Sequence, residues 1–259
     1  MKLQLIIRRA PATAGLGWLQ QGWGLFRQSA GLWILQVMII YLLTLFGALH
    51  PVLGAIVAFI GPFLSAGLYR NIVAAQSGKP VTIDNLFHPL KDAAVRPILL
   101  RIGAAGILCS LPVSILASEV LQQAQAGSVD LLQLSALVLG LGLSAMFFAY
   151  AVAIAYFLQE QRLLMVLQAS FIACWRNMTP LSLYGLIAIL LISTGVPTMF
   201  LSWLLVMPLL SISFFISFTE FFALKPVTDA DDTHDDPSNG PRNKQQDDQH
   251  DGDKGYLEV

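Results

Sequence analysis

Long apolar runs alternate with short polar segments along most of this chain. Six runs have close to the roughly 20 residues that a helix needs to cross about 30 Å of hydrocarbon. They cover residues 31–49, 51–69, 98–118, 133–157, 181–197 and 199–223. The pattern predicts an all-α fold, a polytopic transmembrane helical bundle of six spans.

Very short connections join the first two runs and the last two. His50-Pro51 separates the first pair, and Val196-Pro197 separates the second pair. Since such short connections favour antiparallel neighbours, each pair is predicted to form a hairpin. The alternative is that either pair forms one long kinked or re-entrant helix.

The two predicted hairpins share a proline spacing. Pro51 and Pro62 recur as Pro197 and Pro208, with a common offset of 146 residues. Both hairpins would enter the membrane from the same side, which indicates a parallel internal repeat rather than the inverted repeats of many transporters. The alternative is a chance similarity between two apolar hairpins.

Amphipathic segments precede the first, third and fifth spans. Residues 13–29 and 160–178 carry large apolar side chains at helical spacing beside glutamine and arginine. In the connection 71–97, Thr82 or Asp84 is predicted to cap a short helix. We interpret these segments as helices in the plane of the membrane that brace the bundle. The alternative is a specific lipid-binding surface.

Small residues recur about every four positions in the fourth span, a spacing that places them on one helix face. They are Gly140, Ser144, Ala145, Ala149 and Ala153. Small residues at this spacing allow the backbones of two helices to approach closely. The fourth span is therefore predicted to pack in the centre of the bundle.

Composition changes this interpretation little but narrows the class of protein. Of the 259 residues, 56% are apolar and 12% are charged, and the mean hydropathy is +0.66. Soluble domains carry about 25% charged residues. A soluble enzyme, a disordered chain and a disulfide scaffold are therefore disfavoured.

The positions of the basic residues predict an orientation. All 15 lysine and arginine residues lie before the first span, after the sixth, or in and beside the second and fourth connections. The other connections, near residues 50, 119–130 and 197, contain none. Because basic residues stay on the cytoplasmic side, we expect a multi-pass protein of the bacterial inner (plasma) membrane with both termini cytoplasmic.

The charge changes sign near the C-terminus. Residues 225–259 hold 10 acidic and 4 basic residues, and they have few apolar side chains with which to form a core. The predicted organisation is an interfacial amphipathic segment at 1–30, a six-span domain at 31–224 and a disordered acidic cytoplasmic tail at 225–259. The expected partners are membrane lipid and a cytoplasmic protein that binds the tail or the connection 71–97, with no nucleic acid.

Candidate chemistry is sparse along the chain. No charged residue lies at mid-depth in a span, because Arg70, Arg101 and Glu220 fall near span ends. The four histidines are scattered, without a nucleophile and carboxylate at a recognisable spacing. We therefore predict no catalytic, cofactor-binding or metal-ligating residues, and no cofactor.

Proline lies close to serine within three of the spans. The pairs are Pro62 with Ser65, Pro112 with Ser114, and Pro208 with Ser211. A proline inside a helix removes a backbone hydrogen bond and kinks the helix. These kinks are expected either to shape a small bundle or to open a cavity or lateral cleft beside the serines.

Three stretches carry a resemblance to known proteins: Gly22–Arg27, Gly78–Phe87 and Ala169–Asn177. Through them the chain resembles, over about residues 15–223, an uncharacterised family of proteobacterial inner-membrane proteins. It is more distantly similar to the membrane domain attached to some glycerophosphodiester phosphodiesterases. The resemblance implies the membrane architecture and not the phosphodiesterase reaction, because the sequence offers no region for the soluble barrel.

These observations predict a non-catalytic membrane scaffold or binding component that acts with a protein partner or with lipid. The alternative is a transporter or channel-like protein for a lipid or a small neutral solute. An intramembrane enzyme is the least favoured class.

Overall fold

The computed structural model describes residues 3–199 and 201–226. The described chain is almost entirely helical, so the all-α prediction is confirmed, with one short ribbon in addition. The elements are β1 (Leu3–Ile7), α1 (Ala14–Gln28), α2 (Ala30–Ala48), α3 (Pro51–Gln76), α4 (Ile83–Lys91), α5 (Arg96–Gln125), α6 (Leu131–Phe148), α7 (Ala151–Phe157), α8 (Leu163–Arg176), α9 (Met178–Ser193), α10 (Trp203–Phe221) and β2 (Phe222–Pro226). The predicted acidic tail lies outside the described residues from residue 227 onward.

Five helical segments are long and apolar enough to cross a membrane: α2, α3, α5, the continuous pair α6–α7, and α10. The shorter α9 has 16 residues, or about 24 Å at 1.5 Å per residue. It follows α8 after a bend of 84°. The structure therefore supports a multi-pass membrane protein. The bend separates α8, which lies within the predicted amphipathic segment 160–178, from the span after it.

The N-terminal strand determines where the two ends of the helical domain lie. β1 pairs antiparallel with β2, with Leu3 opposite Pro226 and Ile7 opposite Phe222. Both ends of the described chain consequently meet at one face of the bundle. An even number of crossings is then required, and α9 supplies the sixth. Sequence analysis did not predict this ribbon.

Three hairpins, rather than two, build the bundle. The predicted hairpins are α2–α3 and α9–α10, and a third is formed by α5 with α6–α7. Each hairpin is preceded by an amphipathic helix, which is α1, α4 or α8. Each of these helices packs against the second span of a different hairpin: α1 on α10, α4 on α3, and α8 on α6 and α7. The three units therefore close in a ring.

A close backbone approach marks two of these interfaces. At Gly67 of α3, an added Cβ would overlap the backbone carbonyl of Leu86 on α4. At Gly22 of α1, an added Cβ would lie 3.0 Å from the Cβ of Ser213 on α10. Gly67 and Ser213 are separated by the same 146 residues as the repeated prolines, so the contacts are equivalent in the two repeats.

The third interface uses a side-chain hydroxyl at the two-residue turn between α6 and α7. Ser170 of α8 donates to the carbonyl of Met146 at 2.8 Å and accepts from the backbone N–H of Tyr150 at 3.0 Å. Tyr150 lies in this turn. The hydroxyl thus satisfies backbone groups beside the turn, as buried polar groups require.

Burial is concentrated in one half of the bundle. The buried residues of α5 lie between Ile98 and Gly103, and α3 buries residues only from Pro62 onward. Towards the opposite ends of the helices the side chains are exposed, as for Leu49 (71%) and Leu131 (77%). Exposed leucines of this kind are favourable in contact with lipid. The bundle therefore has a core at one end and a lipid-facing part at the other.

The predicted central position of the fourth span is correct for α7 alone. Ala151, Ala153 and Ala155 of α7 are buried, whereas α6 has no buried residue. An added Cβ at Gly140 would lie 3.5 Å from a methyl group of Val113 on α5. This part of the small-residue face therefore packs within its own hairpin, and α8 packs against another part of α6.

Arginine side chains hold connections together at the buried end. Arg70, near the end of α3, donates to Asn85 on α4 at 3.3 Å and to Tyr156 on α7 at 3.2 Å. Arg101, early in α5, donates to the carbonyl of Gln161 at 3.3 Å. The two arginines that the sequence places near span ends thus lie at the same end as the core.

The contact between α3 and α4 gives a test of the ring. Gly67→Ala would force α4 away from α3, because the new methyl group would overlap the Leu86 carbonyl. We expect the free energy of unfolding to fall by about 3 kcal/mol or more, at the upper end for overpacking. The measurement is denaturant unfolding of the purified protein in mild detergent, followed by circular dichroism.

Gly61→Ala is the matched control on the same helix, because no atom lies within 4 Å of the added Cβ. Its stability should equal or slightly exceed that of the wild type. Equal stability of the two variants would contradict the close approach of α3 and α4.

Candidate functional site

A buried polar cluster joins α2, α3 and the start of α4. Asn71 is fully buried and donates to the Gln36 side chain and to the Thr82 carbonyl, both at 2.8 Å. Its own carbonyl accepts from the Thr82 N–H at 3.2 Å and from the Asn85 side chain at 3.0 Å. Thr82 caps α4 by accepting from the Asn85 N–H, as predicted. The cluster therefore positions α4.

Asn177 fixes the N-terminal segment in a comparable way. It is fully buried between α8 and α9. Its side-chain oxygen accepts from the N–H of Ala10 at 2.8 Å, and its amide donates to the carbonyls of Arg8 and Ala173. These bonds bring the chain after β1 against the bend between the two helices. The stretch Ala169–Asn177 therefore has a structural role here.

The tryptophan of α1 makes a further contact at this end. Trp18 is fully buried and donates its indole N–H to the carboxylate of Glu220, at the end of α10. Glu220 lies near the span end that the sequence predicts for it. Hydrogen bonds of this kind with a charged acceptor are stronger than those between neutral groups.

The charged groups after α7 pair with each other. Arg162 donates to the two carboxylate oxygens of Glu160 at 3.0 and 3.2 Å. These hydrogen bonds lower the pKa of the Glu160 carboxyl. The Arg162 side chain is largely exposed and that of Glu160 partly exposed, so the pair contributes little to stability. It fixes the chain that enters α8.

A lateral cleft lies where the buried core gives way to the exposed half of the bundle. It has a volume of about 360 Å³ and lies between α2, α3, α9 and α10. Its lining is Val37, Ile40, Tyr41, Ser65, Leu68, Tyr69, Tyr184, Ala188, Met207, Leu210, Ser211 and Phe214. None of these residues is charged, and the surface is mostly apolar.

A second hollow of about 330 Å³ continues this cleft along α2 and α10. The two share Val37, Tyr41 and Met207, and the second reaches Pro208 and Leu45. Leu45 is 64% exposed. We call the two hollows together the α2–α10 cleft. It opens sideways among the lipid-facing side chains.

Two of the three proline–serine pairs lie at this cleft. Ser65 and Ser211 line it, and Pro208 lines its continuation. Ser114 does not line it. Its hydroxyl donates to the Leu111 carbonyl on the exposed face of α5. Of the two outcomes expected for the kinks, a lateral cleft lies beside the serines of α3 and α10.

A further cleft of about 570 Å³ lies on the other side of α9, between α6, α8, α9 and α10. Tyr184 and Phe214 line both this cleft and the α2–α10 cleft. Tyr184 is held in place, because its hydroxyl bonds to the Leu210 carbonyl and to Ser213, both at 2.9 Å. These two aromatic side chains thus form a wall between the clefts.

The histidines that the structure describes do not form a site. His50 caps α3 by accepting from the Val52 N–H, and His88 contacts Arg70 at the opposite end of that helix. Within residues 3–199 and 201–226, no three His, Cys, Asp or Glu side chains are grouped to hold a metal ion. The absence of catalytic and metal-binding residues stays a prediction for the whole chain.

Comparison of the chain with family models, with curated proteins and with solved structures gave no match. The resemblance based on Gly22–Arg27, Gly78–Phe87 and Ala169–Asn177 therefore stays a prediction. In the structure, each of the three stretches contributes to the seating of one amphipathic helix or to the polar contacts beside it.

Proposed function

We propose that the protein is a non-catalytic integral membrane protein that binds a lipid chain in the α2–α10 cleft. The observation that carries the proposal is the position of this cleft, which opens sideways into the lipid-facing half. Its two hollows, of about 360 and 330 Å³, fall within the about 300–1,000 Å³ range of ligand pockets.

The lining of the cleft supports lipid over an aqueous solute. Its walls are apolar apart from tyrosine and serine hydroxyls and the indole of Trp203, and no charged residue lines it. A water-soluble ion or polar solute would lose its hydration here without gaining paired charges. A hydrocarbon chain loses no hydration by moving from the bilayer into such a cleft, and it gains packing contacts.

The buried half of the bundle favours binding over transport. Trp18, Trp33, Ile98 and Phe221 are buried there, and large apolar side chains of this kind close the interior to a polar solute. Transport of a lipid is the second candidate function, because Tyr184 and Phe214 line the clefts on both sides of α9. Acceleration of phospholipid flipping in reconstituted vesicles would favour this second function.

A cytoplasmic protein partner remains part of the proposal. The turn before α4 presents Lys79 in an exposed position, and Asp84 and Lys91 are exposed on α4 itself. The acidic tail supplies a second candidate surface. A form ending at Pro226 keeps β2 intact, so a partner that it loses relative to the full chain would bind through the tail.

Filling the cleft should abolish lipid retention. Ala188→Phe places a large side chain into the α2–α10 cleft without removing a hydrogen bond. We expect the lipid that co-purifies with the protein in mild detergent to fall at least ten-fold, because the chain and the new ring compete for one space. Native mass spectrometry of the full-length protein measures the retained lipid.

Ile189→Phe is the matched control, since the adjacent Ile189 side chain is 65% exposed on the outer face of α9. This variant should retain lipid as the wild type does. Equal retention by Ala188→Phe, in a protein of unchanged helix content, would contradict binding in this cleft.

We further propose that the bundle lies in a bacterial inner membrane with both termini cytoplasmic. The basic residues support this proposal. Arg70 and Arg101 make their contacts at the buried end of the bundle, and basic residues stay on the cytoplasmic side of a membrane. A periplasm-active phosphatase fused after residue 225 should be inactive, and the same fusion near residue 125 should be active. The reverse pattern of activities would contradict this orientation.

A further inference from the structure

Two hydroxyls in the α2–α10 cleft lack an internal partner. Ser65 and Tyr69 lie one turn apart on α3, so they share a helix face, and both line the cleft. Among the residues that the structure describes, no hydrogen bond joins either hydroxyl to another residue. Both are therefore available to a molecule in the cleft.

The other hydroxyls of the cleft are already committed. Ser211 donates to the Met207 carbonyl at 2.8 Å, and Tyr184 bonds to Leu210 and Ser213. Tyr41 donates to the sulfur of Met207 at 3.2 Å. Ser65 and Ser211 hold equivalent places in the two repeats, 146 residues apart, yet only Ser211 bonds back to its own helix.

An unpaired hydroxyl is unfavourable in surroundings without water. Tyr69 cannot approach a neighbouring carbonyl easily, because its ring stacks on Phe215 with the centroids 4.7 Å apart. A ligand that places hydrogen-bond acceptors beside α3 would satisfy Ser65 and Tyr69 together. The ligand therefore needs at least one carbonyl or ether oxygen as well as its hydrocarbon chains.

The charge of the cleft restricts the ligand further. No cation lines the cleft, and the nearest arginine along α3 is Arg70. That side chain is occupied by Asn85, His88 and Tyr156, which do not line the cleft. A phosphate at this depth would be an unpaired charge, which is costly in hydrocarbon. An uncharged polar group carries no such penalty.

We propose that Ser65 and Tyr69 donate hydrogen bonds to the ester carbonyls of an uncharged diacyl lipid, of the diacylglycerol class, seated in the α2–α10 cleft. The inference rests on the proposed function and specifies its ligand. One acyl chain lies between α2 and α10, and the ester groups meet α3 at the boundary of the buried core.

The test uses the full-length protein in nanodiscs and a diacylglycerol with a photoreactive acyl chain. Tyr69→Phe and Ser65→Ala each remove one donor and leave the cleft no smaller. Affinity for the probe should fall about five-fold for each variant and about 25-fold for the double variant, as expected for the loss of one and two hydrogen bonds. Ser114→Ala, which removes a serine hydroxyl on α5 outside the cleft, is the matched control and should bind as the wild type does.

Competition distinguishes the class of lipid. Unlabelled dioleoylglycerol should displace the probe at least ten times more effectively than dioleoylphosphatidylglycerol, which has the same chains and a charged headgroup. Equal competition by the two lipids would overturn the assignment to an uncharged lipid. Unchanged affinity of the double variant, with unchanged thermal unfolding, would overturn the role of Ser65 and Tyr69.

Failure of this inference is separable from failure of the proposed function. If Ala188→Phe loses its retained lipid while the double variant binds the probe normally, the cleft binds lipid and the two hydroxyls do not select it. If the wild type retains no lipid and binds no probe, both proposals are wrong.

Discussion

The seating of each amphipathic helix on the second span of another hairpin is the contact on which the rest of the structure depends. At Gly67 of α3, the backbone of α4 occupies the space that a side chain would need. At Gly22 of α1, Ser213 of α10 lies in close contact. Such contacts require small residues, because helix backbones in a membrane associate through close packing rather than through the hydrophobic effect. Three contacts of this kind close the ring at one end.

Because the ring closes at one end of the bundle, the three hairpins separate from one another at the other end. The buried part of α5 ends at Gly103, and α6 buries no residue at all. Where the hairpins separate, α2 and α10 are in contact along only part of their length, and the lateral cleft lies between them. The same packing that stabilises the bundle therefore leaves a mostly apolar space between α2 and α10.

Hydropathy predicts most of the fold, because the length of each apolar run is dictated by the thickness of the membrane. The cap at Thr82 and the cleft beside Ser65 and Ser211 also follow from local residue chemistry. The third unit escaped detection, because α4 has only nine residues and the connection after α5 lacks the repeated proline. The ribbon of β1 and β2 depends on pairing between the two chain ends, which no local pattern encodes.

The position of Tyr69 could not be predicted from its sequence context either. Its neighbour Arg70 faces α4 and α7 while Tyr69 faces the cleft, and only the rotation of α3 within the bundle decides between the two. The small residues in the fourth span led to the incorrect prediction of a central position for α6, for a related reason. A small-residue face shows that helices approach closely, but not which helix approaches, and at Gly140 it is α5.

The most direct test of this account is an experimental density map of the full-length protein in lipid nanodiscs. The account predicts elongated density between α2 and α10 that passes Ser65 and Tyr69. Close contact of α2 with α10 along their whole length, with no space for a lipid chain, would contradict it.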